Sequence, residues 1–143
     1  HQEGQQRRPL QEEAEQHEHE ADILRVANMG VRSAGRELAG ALGRVQDSAL
    51  FLMQNAMKNP DEAGGAATDL LRLMAYTAMA FMWNRIVVAA HKGLAAGNDN
   101  AFYEAKIATA RFYAEHILSR APAARDAIVE GADSVTALPV DAF

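Results

Sequence analysis

The chain has 143 residues, 49 % of them hydrophobic and 23 % charged, with a formal net charge of −5 and no cysteine. These values exclude disulfides, thiol catalysis and zinc–thiolate sites, and the acidic balance argues against non-specific nucleic-acid binding, which needs a basic surface. Aromatic residues make up only 6 %, and the apolar residues are chiefly Ala, Leu and Met, so the composition predicts one all-α domain.

The N-terminal segment, residues 1–21, is polar and rich in Gln and Glu. We interpret it as a polar linker or the exposed start of a helix, ahead of a helical bundle domain at 22–143. His17 and His19 lie among glutamates, but alternate positions of a helix face apart, which favours a solvated segment over a metal site. The chain begins with His1 rather than Met, so we expect a piece of a longer protein or a tagged chain.

The first predicted helix runs from about residue 22 to Lys58. Its apolar residues recur every seven positions, which places them on one face and indicates supercoiling with a neighbouring helix. They are Leu24, Val31, Leu38, Val45 and Leu52. Arg25, Arg32 and Arg36 share another face, where a solvated stripe paired with nearby acids is favoured over a grip on an anion.

The second predicted helix runs from Asp61 or Thr68 to Ala96. Its middle is apolar almost all the way round, which indicates a packing surface beyond one bundle: a second copy or another domain. Its longest apolar stretch, Leu73 to Asn84, is too short for a membrane span, which needs about 20 residues. Core packing is favoured over an apolar pocket for its aromatic residues and the methionines. These are Tyr76, Phe81, Trp83 and the six methionines of the chain.

Two shorter helices follow. Gly97 is typical of the residue after a helix, and 98–100 can cap a third helix that runs to about Arg120. Pro122 opens a fourth helix. The residues expected to face the core are Tyr103, Ile107, Ala110, Ala114, Ile117 and Leu118 on the third helix, and Ile128, Val129, Ala132 and Val135 on or after the fourth. Short connections between successive helices predict an up-down bundle of about four helices, the first and second of them long.

Catalytic and cofactor motifs are not evident. Three residues before His17, His19, His91 and His116 stand Ala, Gln, Val and Tyr, so the Glu-x-x-His pattern of di-iron bundles is missing. His91 and His116 lie near predicted helix C-termini, where the dipole favours the charged form, and a structural role is favoured over catalysis. We find no glycine-rich phosphate loop.

One segment carries a family resemblance: DNAFYEAKIATARFYA, at residues 99–114. It resembles the final-helix signature of bacterial acyl-CoA dehydrogenases with an extra C-terminal helical domain, of which the 3-methylmercaptopropionyl-CoA dehydrogenase type is the best-known example. The matching positions are Phe102, Lys106, Thr109, Ala110, Arg111, Phe112 and Tyr113. Upstream, ATDLLRL at 67–73 and Trp83-Asn84-Arg85 are similar to the family, as are Gly131 and Ala137-Leu138, so the likeness covers roughly residues 33–138.

Two departures accompany the resemblance. Leu70-Leu71 replaces the Tyr-Leu or similar pair of the family, and Ser119 to Ala121 stand between Leu118 and Pro122 where the family often has Leu-Pro.

The resemblance implies a non-catalytic accessory domain. The flavin, acyl-CoA and catalytic glutamate of such enzymes belong to a preceding core, so this chain alone is expected to hold no cofactor and show no activity. The parent would be an FAD-dependent enzyme that desaturates acyl-CoA thioesters, and the partners expected are its catalytic core and further copies of the chain. Lys106, Arg111 and Trp83 are the docking or ion-pair candidates, and ordinary ion pairs within the domain are the alternative.

Two other functions fit the same sequence. One is a stand-alone amphipathic helical adaptor that binds the surface of lipid or polymer granules, and the other is a ligand sensor with Trp83 and the methionines around a pocket. In each case we expect a cytoplasmic protein with no membrane span and no nucleic-acid partner.

Overall fold

The computed structural model describes the backbone of residues 3–97 and 99–142, and the side chains of residues 29–97, 99–139 and 141–142. Four α-helices follow one another: α1 Glu3–Asn55, α2 Asp61–Ala95, α3 Asn100–His116 and α4 Ala121–Glu130. Short 3-10 turns occupy Leu118–Arg120 and Val140–Ala142. The described residues contain no strand, so the predicted all-α bundle with a long first and second helix is confirmed.

Helix α1 differs from the prediction at both ends. It begins at Glu3 instead of about residue 22, because the Gln, Glu, Ala and Arg residues of this segment are good helix formers even without an apolar face. It ends at Asn55, whose side-chain amide donates to the carbonyl of Phe51 (2.9 Å), and a turn carries the chain on to Pro60. The division into residues 1–21 and 22–143 stays a prediction, and the side chains of His17, His19, Leu24 and Arg25 lie outside the described residues.

Helix α2 is the centre of the fold, since it packs against α1, α3 and α4, while α1 also packs against α4. The residues of α2 that face its neighbours repeat with alternate spacings of three and four, as in paired helices. We call this row the inner seam of α2. Its residues are Ala66, Leu70, Leu73, Thr77, Ala80, Asn84, Val87 and His91, all buried or half-buried.

Helix α3 begins at the predicted cap, where the carboxylate of Asp99 accepts from the amide of Phe102 (3.1 Å). It ends at His116, short of the predicted Arg120, because Pro122 cannot continue a helix and starts α4 near its first residues. The predicted core residues of α3 are buried or half-buried, and so are Ile128, Val129 and Ala132. Val135 was predicted to face inward, but it is exposed because the chain leaves α4 at Gly131.

The core is made mainly of alanine. Ala41, Ala66, Ala80, Ala121 and Ala124 form one buried cluster with Leu73, Tyr113, Leu118 and Ile128. Small side chains let helix axes approach closely, and Gly93 extends this pattern, since a Cβ there would overlap the ring of Tyr103. By contrast, Gly35 and Gly43 of α1 have no neighbour within 4 Å of an added Cβ.

The end of α4 is fixed to the start of α2 by a contact that we call the Glu62 clasp. The carboxylate of Glu62 accepts from the backbone amide of Ala132 (3.1 Å). Gly131, between α4 and this amide, has φ +86° and ψ 179°, a conformation that is essentially restricted to glycine. A Cβ at Gly131 would also lie 3.3 Å from a carboxylate oxygen of Glu62. The clasp therefore requires both residues.

The large apolar side chains are mostly outside this core. All six methionines are exposed, and so is Phe81. Core packing was favoured for these residues in the sequence, and for them that prediction is wrong, because alanines fill the narrow space between the helices. Tyr76 and Trp83 do pack against the core cluster.

By length and composition alone, α2 could cross a membrane: it has 35 residues, and an apolar window has a mean hydropathy of 1.3. The core helix of a soluble protein, which is mostly buried, meets the same criterion, but only 28 % of this window is buried. Helix α2 contacts three other helices and carries an ion pair between Arg72 and Asp69 (3.1 Å). That the chain has no membrane span stays a prediction.

Candidate docking surface

The signature segment, residues 99–114, divides into an inward and an outward part on α3. Ala110 and Tyr113 are buried. The phenol of Tyr113 donates a hydrogen bond to the backbone carbonyl of Tyr76 on α2 (2.7 Å), and burial raises the pKa of Tyr113 above its usual value. These inward residues attach α3 to α2, so a structural role accounts for their place in the signature segment.

The outward part has no such explanation. Phe102 is 53 % exposed and Phe112 is 55 % exposed, and both lie on one stripe of the helix, which we call the α3 outer face. Its residues are Phe102, Ala105, Thr109, Phe112 and His116, all exposed. The ring of Phe112 lies against that of His116, with centroids 4.8 Å apart. Exposed aromatic residues on one face of a helix are typical of a surface that binds another protein.

The predicted candidates Lys106 and Arg111 lie on either side of this face. The ammonium of Lys106 lies over the Phe102 ring, 5.1 Å from its centroid. Arg111 bonds the carboxylate of Glu115 on the same helix (2.7 Å), which raises the pKa of Arg111 and lowers that of Glu115, chiefly through this hydrogen bond. An apolar centre with charged residues at its rim is the usual anatomy of a protein interface.

Trp83, the third candidate, lies elsewhere. It is half-buried on α2, and its ring is tilted against that of Tyr113 with centroids 6.4 Å apart. The structure thus places Trp83 behind α3, and not beside Lys106 and Arg111 on the same surface. Its role in docking stays a prediction.

Helix α2 exposes a second apolar surface, opposite its inner seam. The exposed residues again have spacings of three and four, and we call this row the outer seam of α2. Its residues are Asp61, Gly64, Thr68, Leu71, Ala75, Ala78, Met82, Arg85, Ala89 and Lys92, all exposed. Met74 and Phe81 lie along one edge of the seam and are exposed as well.

The other sequence candidates are not brought together into a site. Among the described residues there is no group of three or more His, Asp or Glu side chains arranged to hold a metal ion. Arg32 and Arg36 make no ion pair with another side chain among the described residues, and the side chain of Arg25 lies outside them. His91 is the last residue of the inner seam. Its position near a helix C-terminus was expected to favour the charged form, but burial disfavours that form and lowers the pKa of His91.

An open depression of about 210 Å³ lies between α2 and α4. Its lining consists of Asp69, Arg72, Tyr76, Arg120, Ala123 and Ala124. Its volume is below the usual range of small-molecule sites, roughly 300–1,000 Å³, and Arg72 is already paired with Asp69. The residues of this depression do not fit a flavin or an acyl-CoA.

Sequence reasoning missed the partition of the signature segment. It did predict a packing surface of α2 beyond the bundle, but not which residues form it. The signal was available, because residues 102, 105, 109, 112 and 116 follow the same three-and-four spacing as a packed helix face. The contacts of Glu62 with Ala132 and of Tyr113 with Tyr76 had no such signal, since their partners are 70 and 37 positions apart.

Comparison with known proteins identifies the family. The model of one family, described as acetyl-CoA dehydrogenase C-terminal like, matches residues 10–139. Comparison with curated proteins gives no match. The family match spans most of the chain and includes α2, α3, α4 and the signature segment. The chain therefore belongs to the acetyl-CoA dehydrogenase C-terminal-like family.

Proposed function

We propose that the chain is a non-catalytic accessory domain that docks on the catalytic core of a flavin-dependent acyl-CoA dehydrogenase through the α3 outer face. The parent enzyme would use FAD to desaturate an acyl-CoA thioester, with the 3-methylmercaptopropionyl-CoA dehydrogenase type as the specific case. Family membership supports the class of partner. The observation that carries the choice of surface is the exposure of Phe102 and Phe112 within the signature segment.

Burial of these two rings would contribute most of the docking energy. Covering a phenylalanine side chain fully is worth about 1.5–3 kcal/mol, and each of these rings still exposes about half of its surface. Lys106 and Arg111 would then lie at the rim, where an ion pair with the core contributes little, about 0–1 kcal/mol. Their charges would set orientation and association rate more than affinity.

The test begins with the DNA upstream of the codon for His1, where the proposal expects an in-frame flavoprotein core. In that full-length protein, Phe112→Asp places a charge at the centre of the docking surface. We expect the variant core and helical domain to separate under limited proteolysis while the domain stays folded by circular dichroism. Phe81→Asp, an equally exposed phenylalanine on α2, is the matched control and should leave the domain attached.

Two results would contradict the proposal. One is stoichiometric flavin bound to the purified 143-residue chain, because the described residues include no depression shown to fit it. The other is a Phe112→Asp enzyme whose domain is cleaved no faster than in the wild type.

A cytoplasmic location belongs to the proposal and is supported by the lack of cysteine, which suits a reducing compartment.

A second candidate function is an adaptor on lipid or polymer granules. The exposed methionines and the outer seam of α2 favour it, since an exposed apolar helix face can lie on an apolar particle. Flotation of the chain with neutral lipid vesicles tests this candidate. It predicts co-migration that Met82→Asp abolishes, and recovery of all protein in the unbound fraction would exclude it.

A further inference from the structure

Helix α2 has a packing seam that nothing in the described structure covers. The ten residues of the outer seam run for about 45 Å along the helix, and the four in its middle, Leu71, Ala75, Ala78 and Met82, are all apolar and all exposed. A single buried face explains the inner seam but gives no reason for exposed apolar residues on the second one. Apolar residues at alternate spacings of three and four match the contact row of a paired helix, so we expect the occupant of the outer seam to be another helix.

The distribution of charge along the seam identifies that helix. Asp61 stands at the N-terminal end of the row, Lys92 at the C-terminal end, and the middle is Leu71, Ala75, Ala78 and Met82. If a second copy of the row lies antiparallel, Asp61 faces the partner's Lys92 at one end, and the two-fold axis repeats that pair at the other end. A parallel copy would instead place like charges opposite each other.

The same register pairs most of the remaining positions by size. Leu71 faces the partner's Met82, Ala75 faces the partner's Ala78, and Gly64 faces the partner's Ala89. The exception is Thr68, which faces the partner's Arg85. Large residues meet large ones on either side of a centre of alanines, where the helices can approach closely. Met74 and Phe81 lie on the same edge of the seam. In this register Met74 would lie beside the partner's Phe81, and Phe81 beside the partner's Met74, which gives two favourable sulfur–aromatic contacts.

We propose that the chain forms a two-fold symmetric dimer in which the outer seam of α2 pairs antiparallel with the same seam of a second copy. A strip about 45 Å long and about 10 Å wide on each copy buries roughly 900 Å² in total, near the lower limit for a specific interface. We therefore expect the isolated chain to dimerise in the micromolar range. The α3 outer face takes no part, so this proposal stands apart from docking on a dehydrogenase core.

Cysteine cross-linking tests the register, because the natural chain has no cysteine. Leu71→Cys and Met82→Cys are prepared as separate 143-residue chains. Mixing them under mild oxidation should give a disulfide-linked heterodimer, and either variant alone should give little. Cross-linking by either variant alone to the same yield, or none in the mixture, would overturn the antiparallel register.

Sedimentation equilibrium tests the interaction itself. Ala78→Glu puts a charge in the seam opposite Ala75 and should weaken the dimer at least tenfold, whereas Ala127→Glu, at an exposed alanine of α4, should not. Asp61→Lys and Lys92→Asp should each weaken it, and the double variant should restore it. A wild-type chain that stays monomeric at 200 μM, or one that floats with vesicles as a monomer, would overturn the proposal.

Discussion

The two seams of α2 have the same spacing and opposite surroundings. The inner seam is made of small, polar or medium-sized side chains pressed against α1, α3 and α4. The outer seam and its edges hold larger ones, including Leu71, Met74, Phe81 and Met82, in contact with solvent. A domain that fills its own core with alanine and leaves its larger apolar groups outside gains limited stability from its core. The proposed pairing of two outer seams would account for this difference.

Replacing one leucine in each seam should show the largest difference in stability between the two seams. Leu73 is fully buried, whereas Leu71, two residues away, is 69 % exposed. We expect Leu73→Ala to lower the free energy of unfolding by about 2–5 kcal/mol, because it leaves a cavity in the core. Leu71→Ala should change it by about 0.5 kcal/mol or less in the monomer. Urea denaturation at low protein concentration measures both, and equal losses would contradict the assignment of inside and outside.

The close contact of α2 with α3 offers the next largest effect. Gly93→Ala should lower the free energy of unfolding by about 1–3 kcal/mol, because the added methyl group would overlap the Tyr103 ring. Gly43→Ala is the matched control in α1, where a Cβ meets nothing within 4 Å. That substitution should stabilise the helix by roughly 0.5–1 kcal/mol. Thermal melts of both variants check the prediction, which fails if the two shift in the same direction.

A single hydroxyl should have a smaller effect. Tyr113→Phe removes the hydrogen bond to the carbonyl of Tyr76 while it keeps the packing of the ring. We expect a loss of about 1 kcal/mol. Tyr103→Phe is the control, since Tyr103 is half-buried and its hydroxyl makes no comparable bond among the described residues. Urea denaturation measures both variants. If their free energies of unfolding fall by the same amount, the hydrogen bond to Tyr76 is not what attaches α3.

The smallest effect concerns pH. Burial lowers the pKa of His91 below its ordinary value of 6.5. The unfolded chain therefore takes up a proton more readily than the folded one, and the stability contributed by neutral His91 is present above pH 6.5 and lost as the pH falls through the lowered pKa. His91→Gln should remove this part of the acid sensitivity. Urea denaturation at pH 7.5 and at pH 5.5 measures how much the free energy of unfolding falls between the two pH values. His116→Gln, on the exposed side of α3, is the control.

The order of the helices and a cap among residues 98–100 could be predicted from the sequence, because caps, prolines and seven-residue repeats are local signals. The second helix was predicted to begin at Asp61 or Thr68 and to end at Ala96, and the structure has it at Asp61–Ala95. The start of α1 was not, because a polar segment gives no periodic pattern and only its helix propensity remains.

The candidate surface was harder to predict for a different reason. Spacing shows that a helix has a face to pack, but α2 has two such faces, and the sequence alone does not tell which one the neighbours cover. That choice depends on contacts such as Tyr113 with Tyr76, which are distant in the chain. Lys106 and Arg111 could be selected only through the family resemblance, since neither shows an unusual local pattern.

The Glu62 clasp has a consequence for how the molecule opens. It joins two groups 70 residues apart, so the segment from α2 to α4 forms a closed loop whose ends hold each other. Fluctuations that would fray a free helix end are therefore coupled across the loop. We expect the amides of α4 and of the first turns of α2 to exchange with deuterium as one cooperative unit. Glu62→Ala would let the two ends exchange independently while the middle of α2 stays protected.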